Sequence, residues 1–168
     1  MIPSSMEPFS LEEFSKIKDN AEKIYKGVGV LSCPALAADI HFTSEGFHHL
    51  QFDGSRSERP KANQKTKMFC LRDSIKILKK TTTIQEYRSV MQPTGKPDRS
   101  GFRTTKRVEY FAFEAVTDTE KARRIKVIVR RVGDGYYHFW SVMPTWFEDK
   151  KNGQPTIRTV GGSWMIDV

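Results

Sequence analysis

The hydrophobic period of this chain changes near residue 105, from helical to strand-like, and that change limits the architectures open to it. Upstream, Leu11, Phe14, Ile17, Ala21 and Ile24 recur at steps of three and four, which predicts a helix over residues 11–25 with one apolar face. Ser10 and Glu13 have capping-box spacing at its start, and Gly27 and Gly29 end it. Pro34 interrupts the next stretch. Residues 40–42 suit a short strand, and Ser44 suits the N-cap of a short helix carrying Phe47, His48, His49 and Leu50. Residues 53–64 read as an exposed, Arg-bearing loop, and Met68, Leu71, Ile75 and Leu78 as the buried stripe of a helix over 65–80. Thr83 and Glu86 repeat the capping-box spacing and predict a shorter helix to about Val90. Residues 92–105, with two prolines and two glycines, read as a long mobile connector.

Downstream, residues 108–116, 124–132 and 136–143 are rich in aromatic and β-branched side chains. Gly133-Asp134-Gly135 joins the last two as a hairpin, Pro144 is expected to end the third, and Asn152-Gly153 precedes a candidate edge strand over 156–160. Helices first and strands afterwards predict a single α+β domain over 1–168. Its helical part would cover about 1–91, the loop about 92–105 and an antiparallel sheet about 106–160.

With 168 residues, 38% of them apolar, the chain can bury a core without covalent staples. Cys33 and Cys70 are too few for a disulfide framework, which makes the reducing cytoplasm the expected compartment. The longest uncharged run, residues 27–38, is 12 residues long and contains Pro34, so it does not span a bilayer and no membrane role is expected. The formal charge of +8 is unevenly spread: residues 1–55 carry 4 basic and 8 acidic groups, residues 56–80 carry 9 and 2, and residues 99–131 carry 10 and 4. Two basic blocks interleaved with apolar residues point to a polyanion, of which nucleic acid is the commonest. Two solvated basic faces are the plainer explanation.

No Gly-rich phosphate loop and no nucleophile elbow occur. His41, His48 and His49 are the densest imidazoles, but the cysteines lack zinc-site spacing, so neither a metal nor another cofactor is expected. A more coherent set is His49 or His48 with Arg56, Arg59, Lys126, Arg130 and Ser141 or Thr145. Metal-free RNA cleavage needs a base near the 2′-hydroxyl, an acid near the leaving oxygen and cations for the phosphorane. Histidine exchanges protons near neutral pH, arginine offers phosphate a permanently charged fork, and a hydroxyl can hydrogen-bond a nonbridging oxygen. Arg72 and Lys76 on the second basic helix would add phosphate contacts. Each has an ordinary alternative: an edge arginine in water, or a serine that fits among aromatics. Tyr136 and Tyr137, near Trp140, are either a base-stacking surface or sheet core.

The runs CPALAADIHFTSEGFHHL (33–50), the Arg-bearing loop after it, RIKVIVRRV (124–132) and HFWSVMPTW (138–146) resemble small bacterial and phage-associated proteins of the barnase, EndoU, colicin and RelE-like (BECR) ribonuclease superfamily. The resemblance covers roughly residues 24–146. It implies N-terminal helices packed on an antiparallel sheet of about four strands, and metal-independent RNA cleavage in a toxin-like role, with a neutralising antitoxin or immunity protein as a partner beside RNA. It matches His49 rather than His48, because a leucine follows directly, and puts Arg59, Arg130 and Ser141 at the remaining site positions. Two other classes stay open: a noncatalytic RNA- or DNA-binding module, for which the basic blocks suffice, and a protein-interaction domain.

Overall fold

The computed structural model describes residues 10–117, 122–151 and 154–159. The first helix, α1 (Leu11–Val28), starts at the expected capping box: the Glu13 N–H donates to Ser10 Oγ at 3.1 Å and the Ser10 N–H to Glu13 Oε2 at 3.3 Å. Its Phe14, Ala21 and Tyr25 are buried. Gly29 ends it at φ 62°, a left-handed φ that glycine adopts without steric cost.

The helix-then-sheet division does not hold. The N-terminal half supplies a hairpin, β1 (Val30–Cys33) and β2 (Ala38–His41), turned by a 3-10 segment at Pro34–Leu36. Ala37 closes that turn at φ 49°, a backbone state that alanine does not advertise in sequence. Then come α2 (Ser44–Gln51), with Thr43 and not Ser44 as its N-cap, α3 (Lys61–Phe69) and α4 (Leu71–Lys80). The single helix expected over 65–80 is thus two helices broken at Cys70. The break lets α3 pack on α1 and β6 while α4 lies over β1, β5 and β4.

The helix expected after Thr83 is instead strand β3 (Glu86–Thr94), paired antiparallel over its whole length with β4 (Thr104–Thr117). Tertiary pairing overrides the local capping signal: Tyr87 packs on Phe111 at 5.2 Å between ring centroids and donates to Glu109 Oε1 at 2.7 Å. Residues 92–105 are therefore a hairpin end and not a free connector. Strands β5 (Arg123–Val132), β6 (Tyr137–Lys151) and β7 (Gln154–Thr159) complete the order. Pro144 does not end its strand: β6 runs on past it, with a register shift between Arg124 and Ile125 close to Pro144, where a ladder donor is missing. Asn152-Gly153 and Val160 lie outside the described residues.

Among the described residues the fold is α+β with a seven-stranded mixed sheet, in place of about four antiparallel strands. Its order is β1-β2-β6-β5-β4-β3, with β7 also on β6 and with β2 parallel to β6. The helices cover one face, burying Phe111, Phe113, Val127, Val129, Phe139 and Val142 with Tyr25, Leu50, Leu71 and Leu78. The other face carries a smaller cluster, Val108, Tyr110, Ile128 and Trp140. Cys33 and Cys70 are fully buried free thiols; burial raises both, Cys70 to about 11. No helix of the described residues is long and apolar enough to cross a membrane.

Helix α2 sits directly against β6. A Cβ at Gly46 would run into the Phe139 carbonyl oxygen and the Tyr25 hydroxyl, and that hydroxyl is already fixed by donating to the Thr43 carbonyl at 2.7 Å. Backbone cannot move aside cheaply. Gly46→Ala is therefore expected to destabilise the fold by about 1–3 kcal/mol, read as a lower urea midpoint at unchanged slope. An unshifted midpoint would mean that α2 is not seated this closely.

Candidate nucleic-acid interface

A groove of about 1300 Å³ runs along the uncovered sheet face. Helix α2 and the 52–56 loop form one wall, and the β3–β4 hairpin end forms the other. Its floor depends on a β-bulge. Ile128 faces Ser141 and Val129 faces Phe139, so Trp140 is the extra residue of β6, and the bulge turns its indole onto the open face beside Tyr110 and Ile128. The Arg130 guanidinium lies over the Trp140 ring at 4.3 Å. The His49 ring stacks on the same indole at 4.4 Å and 28°.

Ion pairing separates the cations. Lys126 is 8% exposed and lies 2.9 Å from Glu86 and 3.1 Å from Glu114. Arg123 holds Asp73 at 2.7 Å, and Arg124 holds Glu114 at 2.5 Å. Arg130 has only Glu45, at 3.8 Å, which is beyond hydrogen-bond distance, and its Nε meets no acceptor among the described residues. It is largely buried yet keeps donors for a ligand. The groove is also lined by Arg56, Lys96, Arg103 and Lys106, against the carboxylates Glu45 and Asp53. Asp53 is engaged elsewhere: its Oδ1 accepts from Ser55 and Ser57, and the Ser55 hydroxyl chiefly holds it below the usual carboxylate range. The turn it organises puts Arg56 at φ 65° on the groove wall.

Of the residues singled out from sequence, the structure brings His49, His48, Arg56 and Arg130 together. It does not bring the others. The Arg59 Nε donates to the His49 carbonyl at 3.2 Å, bracing α2 from its backbone. Ser141 is fully buried and accepts from Lys67 Nζ at 3.1 Å; the same ammonium donates to the Val142 carbonyl at 2.9 Å, on the stretch of β6 between its β2 and β7 pairings. Lys126 is neutralised within the sheet. Thr145 donates to the Arg124 carbonyl at 3.3 Å. Arg72 and Lys76 are exposed on α4, in the helix layer over the opposite face. Tyr136 and Tyr137 divide: Tyr137 packs on the core, while Tyr136 is exposed and lies tilted against His41 at 4.3 Å. His41, His48 and His49 pack on three different rings, and no group of three metal-ligating side chains occurs among the described residues.

Glu45, Lys96, Arg103 and Lys106 were missed from sequence. Glu45 did leave a signal, because it precedes His48 and His49 by three and four residues and so shares their side of a helix. His138 was also missed. It sits across from Arg130 on β6, and burial, ahead of the neighbouring His41 and Arg130 charges, pulls it below the ordinary 6.5, with Glu45 opposing. In the window between the lowered folded value and 6.5, the unfolded chain binds more protons, so stability falls on acidification. Thermal melts across that window are expected to show a smaller loss for His138→Gln than for the wild type. Equal losses would mean that another group carries the dependence.

The chain matches no protein-family model, and no curated protein or solved structure is similar to it at a significant level.

Proposed function

We propose that this protein is an endoribonuclease that cleaves RNA in the sheet-face groove by acid–base catalysis without a metal. The observation that carries this reading is Arg130: a guanidinium held over the Trp140 ring, free of any carboxylate at hydrogen-bond distance among the described residues, beside Glu45, His48 and His49. A phosphodiester laid on that fork has its developing phosphorane charge stabilised by a fixed cation that needs no reorganisation. The exposed Glu45 carboxylate takes the 2′-hydroxyl proton as that oxygen attacks phosphorus. The bond from phosphorus to the 5′-oxygen breaks, and His49, as imidazolium, returns a proton to the leaving oxygen. The products are a 2′,3′-cyclic phosphate and a 5′-hydroxyl. Arg56, Lys96, Arg103 and Lys106 hold the flanking phosphates. The roles that sequence suggests for Arg59 and Ser141 pass to these groove residues.

The resemblance to BECR ribonucleases agrees with this reading and adds the toxin-like role. A neutralising partner would then cover the groove with an acidic surface. A noncatalytic binding module is the second reading, favoured by the deep burial of His49 at 4% exposure.

Incubation of the purified protein with total RNA and tRNA in EDTA, with the fragment ends then identified, separates the two. Discrete fragments ending in 2′,3′-cyclic phosphate, absent with Arg130→Ala, support the nuclease. Salt-sensitive binding with no fragments supports the module. Equal fragments from both proteins would remove Arg130 from the chemistry.

A further inference from the structure

The β3–β4 ribbon extends beyond the rest of the sheet. Val108 is the last β4 residue paired to β5, opposite Val132, whereas β4 continues to pair with β3 from Arg107↔Met91 to Thr104↔Thr94. These four further pairs form an arm about 13 Å long, capped by the 95–103 tip. Over residues 91–107 the arm carries Lys96, Arg99, Arg103, Lys106 and Arg107 against one acid, Asp98. That acid is used to build the tip: its Oδ1 accepts from the Ser100 N–H at 2.8 Å and the Phe102 N–H at 3.0 Å, its own N–H donates to the Phe102 carbonyl at 2.7 Å, and the Gly101 N–H donates back to its carbonyl at 3.0 Å. Gly101, at φ 84°, permits this closure. The tip thus fixes the backbone of Phe102, whose side chain is left 73% exposed.

Phe102 is thus an aromatic ring held out in water by a preorganised turn, between the cations Arg99 and Arg103. Lys96, Arg103 and Lys106 of the same arm line the groove, while the groove's own aromatics are already engaged: Trp140 is stacked by Arg130 and His49, Phe52 by His48, and Tyr110 is 4% exposed. We propose that the arm is a single-strand grip, in which Lys96, Arg103 and Lys106 track the phosphates and Phe102 stacks on an unpaired base. This rests on the groove being an RNA site and deepens that reading by naming single-stranded RNA as its substrate. A duplex keeps its base faces stacked inside, so it can use the cations but not the ring.

The test is fluorescence anisotropy with a labelled 12-mer of 2′-O-methyl RNA, which has no free 2′-hydroxyl to attack, alone and annealed to its complement. Phe102→Ala is expected to weaken single-strand binding about tenfold and leave duplex binding within about twofold, and Phe102→Trp to restore the single-strand affinity. Arg103→Ala is expected to weaken both ligands and reduce the salt dependence by about one phosphate contact. Unchanged single-strand affinity in Phe102→Ala, or an equal loss for both ligands, overturns the grip while leaving the groove reading intact. Failure of the wild type to bind either ligand overturns both.

Discussion

Arg130→Ala is expected to lower metal-free RNA cleavage by about 100- to 1000-fold, the size of effect seen when one preorganised stabiliser of developing negative charge is removed. The expectation comes from the charge arrangement on the open face. Lys126, four residues earlier on the same strand, has two carboxylates within 3.1 Å, so its charge is satisfied inside the sheet. Arg130 meets Glu45 only at 3.8 Å and lies on an indole that offers no competing acceptor. Its donors therefore remain for a phosphate. Arg130→Lys keeps the charge but loses the guanidinium's contact with the indole and its two-pronged geometry, and should recover only part of the rate. The measurement is single-turnover cleavage of a labelled oligoribonucleotide in EDTA, with thermal melts of each variant alongside. Wild-type rates in a folded Arg130→Ala protein would remove the central cation from the mechanism.

The second large effect concerns His49. General acid catalysis by one side chain contributes about 100- to 10,000-fold, so removing the proton carrier should show clearly. Alanine is a poor probe here, because the His49 ring is buried against Trp140 and its loss leaves a void beneath the Arg130 perch. Phenylalanine keeps a ring on the indole and carries no proton. His49→Phe is expected to lose turnover by at least about 100-fold, while salt-dependent RNA binding and the melting temperature stay close to wild type. His48→Ala should cost under about tenfold, since that imidazole stacks on Phe52 at the groove rim. If His48→Ala is instead the inactive variant and His49→Phe the active one, the two imidazoles exchange roles and His49 is a packing residue.

Much of the local structure was legible. The capping box at Ser10 and Glu13 and the apolar steps from Phe14 to Ile24 mark α1 because both signals act within a few residues along the chain. Residues 124–132 alternate strongly enough to mark β5, and Gly133-Asp134-Gly135 marks the turn into β6. The misreadings share one cause. The box at Thr83 and Glu86 is a local signal, yet the segment becomes β3 because β4 offers it a nine-residue pairing partner. Similarly, β1 and β2 escaped notice as a hairpin because their turn rests on Ala37 in a left-handed state, and the pairing of β2 with β6 joins residues almost 100 apart.

The candidate site divides along the same line. His48, His49, Arg56 and Arg130 could be named from residue type, local spacing and the resemblance, and the groove brings them together. Arg59 and Ser141 have the right chemistry but point it at the His49 carbonyl and at Lys67. By itself the sequence determined which segments have a helical or strand-like period and where positive charge accumulates, since both are properties of neighbours along the chain. Tertiary structure alone decided which of those charges remains available to a ligand. Lys126 is neutralised by Glu114, its direct cross-strand partner on β4, and by Glu86 one strand further on, 40 residues away in sequence, and Arg130 escapes because the same register gives it His138 and an indole instead. Pairing across strands depends on register, and register is settled by the packing of the whole sheet.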